Sequence, residues 1–396
     1  MKVALVSRIP PARCGIAEYT SMLGEALSSL GADVVLVGNV EEKDGLPRTY
    51  AEPYSGLASW KCFSVGRFRA LDVLKCLEGL GPLDVVHIQH DYSIFTDNSE
   101  FLKLLEKLRG KVPVVVTMHT VLHSLRGSDV VPFQSKVVAL SAAVVVHSEL
   151  QEYELYAQGA DMAKIYKVPH GTALNPYVGR VKKKQVLSEL AGRKVSVGED
   201  TLIAVPGFAR WNKGVDVAIE AFKILLDEGV EAKLILGAPQ HGADERLYAL
   251  AGSKLGESSR VVLIRRYMDR YEMFKLLAAV DLAIFPYRDP HVISVSGALH
   301  MAMGSFVKVV CTRHPKLVEC ELLAPEAVVP ALDPRLLAYR IREVIARGSA
   351  ADSIYGNFWR YAYETEWRRV AKTTLKLYEA LLSHRENSGV DLGKVH

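Results

Sequence analysis

A chain of 396 residues, 49% hydrophobic and 24% charged, describes a soluble globular protein long enough for two domains of ordinary size. The 49 Lys and Arg against 45 Asp and Glu leave a formal charge of +4, too weak a balance for a nucleic-acid binder but enough for a local basic face. No run of about 18 apolar residues is present, so no membrane-spanning helix is expected, and Met1–Ser7 reads as a first strand rather than a signal peptide.

Along the chain, apolar runs alternate with amphipathic stretches, the pattern of parallel βα units. Strands are expected at Lys2–Val6, Asp33–Val37, Asp84–Ile88, Pro113–Met118, Ala142–His147 and Lys164–Val168, then at Leu202–Val205, Ala232–Leu236, Val261–Ile264, Leu282–Phe285, Val307–Cys311 and Ala327–Val329. Their near-continuous Val and Ile content suits strands covered on both faces. Helices are expected between them, among them Tyr19–Leu30, Val215–Leu226, Tyr271–Ala279 and Pro334–Arg347. The pattern breaks at Tyr177–Asp200, which is basic at Arg180–Lys184 and lacks a strong strand, and an aromatic-rich helical tail follows Asp352. The expected division is therefore 1–176, a linker at 177–200, 201–352, and a terminal helix and tail at 353–396. Each of the first and third parts is a doubly wound, Rossmann-like α/β domain, with the site in a cleft between their facing strand ends. The five cysteines (Cys14, Cys62, Cys76, Cys311, Cys320) are odd in number, scattered and without a CxxC pair. That argues against a disulfide framework or a zinc site and for a reduced, cytoplasmic setting.

Candidate site residues fall at the ends of these strands. After the first strand, the Pro-stiffened turn Ser7–Cys14 leads to Gly15, which opens a helix whose free amides suit a phosphate or sugar; a plain strand-to-helix loop is the other reading. It is not GxGxxG, so no nicotinamide cofactor is indicated. Val86–Tyr92 ends the next strand in a polar cluster; His87 and His90 lack further ligands at metal spacing, which leaves His90 and Asp91 as sugar contacts on the acceptor side. His119, at the end of Pro113–Met118, is placed to donate to a sugar hydroxyl or a developing charge, and His170 in Val168–Gly171 reads as satisfying backbone groups near a hinge.

The most informative stretch is Gly207–Gly214, which follows the strand Leu202–Val205. Arg210 and Lys213, a planar fork and a point charge, suit a diphosphate better than a carboxylate. Ser296, Gly297 and Ala298, at the start of an apolar helix, add a hydroxyl and free N–H groups without bulk; Ser296 also reads as an ordinary cap.

These pieces, in this order, resemble the retaining family-4 glycosyltransferases of the GT-B fold, over nearly the whole chain from Met1 to about Leu382. The segments that carry the resemblance are Pro11–Ala17, Val86–Asp91, Val116–Thr120, Val168–Gly171 and Gly207–Gly214. The resemblance implies a nucleotide-sugar donor such as GDP-mannose or UDP-glucose, held mainly by the second domain, and an acceptor held mainly by the first. It implies that Arg210 and Lys213 neutralise the leaving diphosphate without a metal, that Gly15 and His119 match the family's glycine and histidine, and that the terminal helix crosses back to the first domain.

The chain departs from the family at its two glutamates, eight positions apart. Counted back from Val309-Val310 they fall on Met301 and Ile293, or on His300 and Val292 with a shift of one, and neither register holds a carboxylate. Asp289 is the candidate substitute. The family's later Gly-x-Pro is replaced by Phe306-Val307-Lys308. The expected function is thus a retaining, metal-independent hexosyltransferase acting on a sugar, a polysaccharide or a lipid-linked glycan. The alternative is a non-catalytic GT-B protein that binds nucleotide or glycan and partners an active transferase. The Arg180–Lys184 run reads as a solvated face, with peripheral contact to an anionic inner membrane surface as its second reading.

Overall fold

The computed structural model describes residues 1–40, 56–238, 245–255, 259–288, 291–330 and 332–387. In chain order the elements are β1 (Lys2–Val6), α1 (Gly15–Ser28), β2 (Asp33–Asn39), β3 (Ala58–Phe63), α2 (Ala70–Gly79), β4 (Val85–His90), α3 (Asn98–Leu108), β5 (Val114–Met118), β6 (Thr120–Leu122), α4 (Val130–Leu140), β7 (Ala143–Val146), α5 (Glu149–Ala157), β8 (Ile165–Lys167) and α6 (Lys183–Ala191). They continue with β9 (Thr201–Val205), α7 (Val215–Asp227), β10 (Ala232–Leu236), α8 (Glu245–Leu255), β11 (Val261–Leu263), α9 (Arg270–Ala279), β12 (Leu282–Phe285), β13 (Val292–Ser294), α10 (Gly297–Gly304), β14 (Lys308–Thr312), α11 (Val318–Leu323), β15 (Val328–Val329), α12 (Pro334–Arg347), α13 (Gly356–Glu364) and α14 (Trp367–Asn387). Among the described residues no helix is long and apolar enough to cross a membrane.

Two compact units result. The first comprises residues 1–171, 291–295 and 367–396; the second comprises 172–290 and 296–366. The first is built on a seven-stranded parallel sheet in the order β3-β2-β1-β4-β5-β7-β8, the second on a six-stranded parallel sheet in the order β11-β10-β9-β12-β14-β15. Both orders reverse at one point, between β1 and β4 and between β9 and β12. Loops at the carboxyl ends of those strands are where doubly wound sheets hold ligands. Of the residues singled out from sequence, Gly15, Asp91, Arg210 and Lys213 follow β1, β4 and β9, His119 follows β5, and Ser296 to Ala298 follow β13. Both units are Rossmann-like, and the pair defines the GT-B fold class.

The central strands form because their side chains are apolar on both faces. Val3, Ala4, Leu5 and Val6 of β1, and Leu202, Ile203 and Ala204 of β9, have no or almost no exposed surface. Amphipathic helices cover them, as expected where crossovers place helices on both faces of a parallel sheet. The segment 177–200, expected as a linker, carries α6, whose Val186, Leu187 and Leu190 are buried in the core of the second unit. The tail divides at Glu366/Trp367. α13 stays with the second unit, while α14 packs against α1 in the first and brings the Tyr378 hydroxyl to Nδ1 of His87.

Three features differ from the sequence expectation. β3 lies at the sheet edge as Ala-Ser-Trp-Lys-Cys-Phe, a strand without a continuous apolar run. β6 and β13 form a separate antiparallel ribbon within the first unit, with Ile293 opposite Val121 and Val292 opposite Leu122. Cys62 on β3 and Cys76 on α2 form a disulfide, where the scattered cysteines had argued against a disulfide framework. The fold lays β3 beside α2, and that adjacency cannot be read from the spacing of two isolated cysteines.

Gly171 sits where a side chain has no room, since a Cβ there would lie 2.3 Å from the Trp367 indole. Gly171→Ala is expected to destabilise the protein by about 1–3 kcal/mol through overpacking, read as a lower urea midpoint; an unchanged midpoint would show that the indole moves aside freely.

Candidate active site

In the second unit the site begins where β9 ends. The chain turns through Gly207, passes Arg210 and the short helical turn Trp211–Lys213, and enters α7 at Gly214. Gly214 has φ 64°, and a Cβ at this position would lie 1.7 Å from the Pro286 carbonyl oxygen. Only glycine fits such an approach, so the basic loop is pressed against the end of β12. The Arg288 amide donates to the Asn212 carbonyl (3.2 Å), and the Arg288 guanidinium pairs with Asp216 on α7 (2.7 Å).

That approach seats Lys213 on an aromatic face. Its Nζ lies 3.7 Å from the centre of the Tyr287 ring. Tyr287 is 3% exposed, and its hydroxyl is 3.0 Å from Oγ of Ser296. Ser296 caps α10 by accepting from the Leu299 amide. The Tyr287 carbonyl accepts from Thr312 Oγ1 (3.0 Å), and the Arg288 carbonyl bonds Nε2 of His314 (2.9 Å). Tyr287 thereby connects the basic loop to the start of α10, where the first-turn amides of Gly297 and Ala298 have no partner within the helix. Arg210, Lys213, Ser296, Gly297 and Ala298 are thus grouped at the ends of β9 and β12 within one unit.

Among the described residues no carboxylate pairs with Arg210 or Lys213. Burial, and then the Arg210 guanidinium, pull the Lys213 amine down from its ordinary 10.5 to about 7. Burial pushes the Tyr287 phenol up to about 12. An amine without a counterion among the described residues, beside a guanidinium and a helix start, is an arrangement suited to a multiply charged anion. No group of three His, Cys, Asp or Glu side chains among the described residues is placed to hold a metal. Asp289 lies outside the described residues. His300 is buried on α10, with Nδ1 2.7 Å from Thr172 Oγ1 and Nε2 3.6 Å from the buried Glu319 carboxylate.

In the first unit, Gly15 opens α1 on the surface. A Cβ there would meet nothing within 4 Å, and Cys14 before it makes no side-chain cap, so the amides at the start of α1 face open space. His119 follows β5, is 8% exposed, and holds Nε2 3.0 Å from Gln89 Oε1. Its ring meets Tyr19 edge-on at 4.6 Å and His147 at 5.1 Å. Burial, then His147, His87 and His90, hold it well below the ordinary histidine range, so it is a neutral imidazole at pH 7. Tyr19 also touches His170 and Trp367, and His170 Nδ1 bonds the Gly171 carbonyl.

His90 has no exposed surface. Its ring lies among Phe95, Phe101 and Phe133, and burial lowers its basicity to about 4. Expected as a sugar contact, it is placed as a core residue, because the last residue of β4 turns inward under α3 and α4. Asp91 is spent on its own turn and on β6: it accepts from the Ser93 amide and hydroxyl and from Thr120 Oγ1 (2.7 Å). Tyr287 and Tyr19, which touch Lys213 and His119, are the neighbours of the candidate residues that sequence reasoning missed. Tyr287 was detectable in principle, since it stands two residues beyond β12 at a carboxyl end.

Comparison with known proteins follows the same division. Residues 14–171 match the glycosyl transferase 4-like domain family, and residues 199–347 match glycosyl transferases group 1. No curated protein matches the chain in sequence. Among solved structures, sucrose-phosphate synthase from Thermosynechococcus elongatus superposes with a TM-score of 0.77 at 16% identity, over 97% of this chain and 100% of that one. HepE of Anabaena, in complex with UDP and glucose, gives 0.72 at 15%, over 96% and 100%. The catalytic domain of Arabidopsis thaliana starch synthase IV, bound to ADP and acarbose, gives 0.70 at 14%, over 96% and 99%. At these identities the structural likeness speaks for the fold. The two family matches together span most of the chain, and the protein belongs to the GT-B glycosyltransferases.

The Lys213 amine, followed by NMR after reductive 13C-methylation, is expected to titrate about three units below the other lysines. Arg210→Ala should move it upward. A Lys213 signal that titrates with the bulk would remove the desolvated cation from the site.

Proposed function

We propose that the protein transfers a hexosyl group, with retained anomeric configuration, from a nucleotide-sugar donor to a sugar, a polysaccharide or a lipid-linked glycan, and that it does so without a metal ion. The observation that carries this reading is the lone ammonium of Lys213, seated 3.7 Å over Tyr287 and joined through that ring to the Ser296 cap. Membership of the glycosyltransferases supplies the reaction class. Solved neighbours named as complexes with UDP, UDP-glucose and ADP support a nucleoside diphosphate as the anion. UDP-glucose and GDP-mannose are the donors to test first.

In this mechanism the bond between the sugar's anomeric carbon and the β-phosphate oxygen breaks as the acceptor oxygen bonds that carbon on the same face. Negative charge builds on the departing phosphate, and in this reading Arg210, Lys213 and the amides of Gly297 and Ala298 stabilise it. One such fixed donor contributes roughly 2.7–4 kcal/mol to the barrier in comparable sites. The departing phosphate oxygen takes the proton from the acceptor hydroxyl, so no carboxylate nucleophile is required. His119, a neutral imidazole, orients the sugar by hydrogen bonding rather than by charge.

A non-catalytic binding protein is the second reading. It is favoured by the positions of the missing glutamates: Ile293 and Val292 are committed to β13, and His300 is committed to Thr172 and Glu319. Arg210→Ala and Lys213→Ala should each lower turnover at least about a hundredfold, measured as nucleoside diphosphate release from UDP-glucose or GDP-mannose in the presence of acceptor sugars. Normal turnover in both variants sinks the mechanism. Calorimetric binding of UDP and GDP to a protein with no turnover selects the second reading.

The amine near 7 adds a pH signature with a fixed sign. Below about pH 6 Lys213 is already charged and takes up no proton when a diphosphate binds, and the exchange there is release from the diphosphate's own terminal phosphate, whose last proton leaves at about pH 6. At about pH 8 the free amine is mostly neutral, the bound anion raises its basicity, and binding takes up a proton. Calorimetry in buffers of different ionisation enthalpy should show that uptake at the higher pH and lose it in Lys213→Ala.

A further inference from the structure

His119 is pinned from both neighbouring strands. Its amide donates to the His90 carbonyl at the end of β4 (3.0 Å). On the other side stands Gln151 of α5, which has no exposed surface. Its Oε1 accepts from the His147 amide just past β7 (2.9 Å), and its Nε2 donates to the carbonyls of Met118 (2.9 Å) and His119 (3.3 Å). The backbone that carries the imidazole is therefore fixed, and the ring is fixed as well. Tyr19 and His147 flank it, and its Nε2 lies 3.0 Å from Oε1 of Gln89.

Gln89 stands on β4 opposite Thr117 of β5 and has no exposed surface. Its own Nε2 is buried without a partner among the described residues. A buried N–H left unbonded is costly, so an apolar side chain of the same length would serve packing better. What the amide supplies is its oxygen. Burial keeps the His119 imidazole neutral at pH 7, and a neutral ring carries one proton on one of its two nitrogens. An amide oxygen can only accept, so the bond to Gln89 requires that proton on Nε2. Nδ1 is then left with a lone pair. It makes no hydrogen bond among the described residues, while His119 keeps 8% of its surface exposed. His90 differs: its two ring nitrogens are also unbonded among the described residues, but it has no exposed surface and lies among phenylalanines.

We propose that Gln89 is a positioning residue, which fixes the proton of His119 on Nε2 and so presents Nδ1 to the substrate as a hydrogen-bond acceptor. A group held by that nitrogen must donate. A free sugar hydroxyl does so; an ether, a fluorine or a C–H does not. His119 thus accepts from the sugar, where its strand-end position alone had suggested that it donates. The sugar as partner rests on the donor reading above; the place of the proton does not.

Long-range 1H–15N correlation spectra of the full chain labelled at histidine test it, with the His119 signals assigned by their loss in His119→Asn. In the wild-type protein at about pH 7, His119 should show a single tautomer, protonated at Nε2. Gln89→Met removes both the acceptor and the unbonded N–H, so its unfolding temperature should match or exceed that of the wild type. In that variant both tautomers should be populated, and the Nε2 proton should exchange with water at least about tenfold faster. Gln89→Glu restores an acceptor and should again hold the proton on Nε2. Saturating UDP-glucose or GDP-mannose should move the wild-type Nδ1 resonance; neither donor binding by calorimetry, with the tautomer as stated, counts against the donor reading alone. Protonation at Nδ1 in the wild type, an unchanged tautomer and exchange rate in Gln89→Met, or donor binding that leaves Nδ1 unmoved overturns the proposal.

Discussion

A partly buried amine with no carboxylate partner among the described residues is costly to charge, and the loop after β9 holds one. The backbone that carries Lys213 is fixed, because Gly214 is pressed against the Pro286 carbonyl and the loop is bonded across to Arg288. The Tyr287 ring gives the ammonium an electron-rich face, which softens the penalty without neutralising the charge. Arg210 then adds a second positive group in place of a negative one. What results is a pre-formed deficit of negative charge at a helix start, and a bound anion relieves it. The same deficit explains why the amine sits near 7.

The two units use the same geometry for different ends. Each places a loop and a helix N-terminus beside the point where its strand order reverses. In the second unit that helix start is capped by Ser296 and tied to an aromatic residue, so its amides are held in fixed directions. In the first unit the start of α1 has no side-chain cap, and Gly15 leaves open space above it.

Much of this was legible in the sequence, because the strands that build both sheets are continuous apolar runs and the loops after them are short and chemically distinct. Arg210, Lys213 and Ser296 could be grouped as one candidate anion site from residue type and loop position, and Lys213 and Ser296 do both reach Tyr287. The ribbon of β6 and β13 could not be read, because three-residue strands have no period to detect. His90 misled for a related reason: a polar residue at a strand end reads as exposed, and only the tertiary packing of Phe95, Phe101 and Phe133 shows it enclosed. Tyr287 was passed over because a tyrosine after a strand has many ordinary explanations, and its value lies in two contacts made to distant parts of the chain. The Cys62–Cys76 bond likewise depends on an adjacency between an irregular edge strand and a helix.

The first unit is discontinuous in sequence. Its sheet is complete by Gly171, but the partner strand of β6 arrives only at residues 291–295, and the hydroxyl that meets His87 arrives with Tyr378. During synthesis the emerging first unit must therefore wait, with an unpaired strand edge and an uncovered face of α1, until nearly the whole polypeptide has left the ribosome. Its completion is coupled to the making of the second unit, so a ribosome that stalls in the second half of the message leaves the earlier-made half unfinished as well.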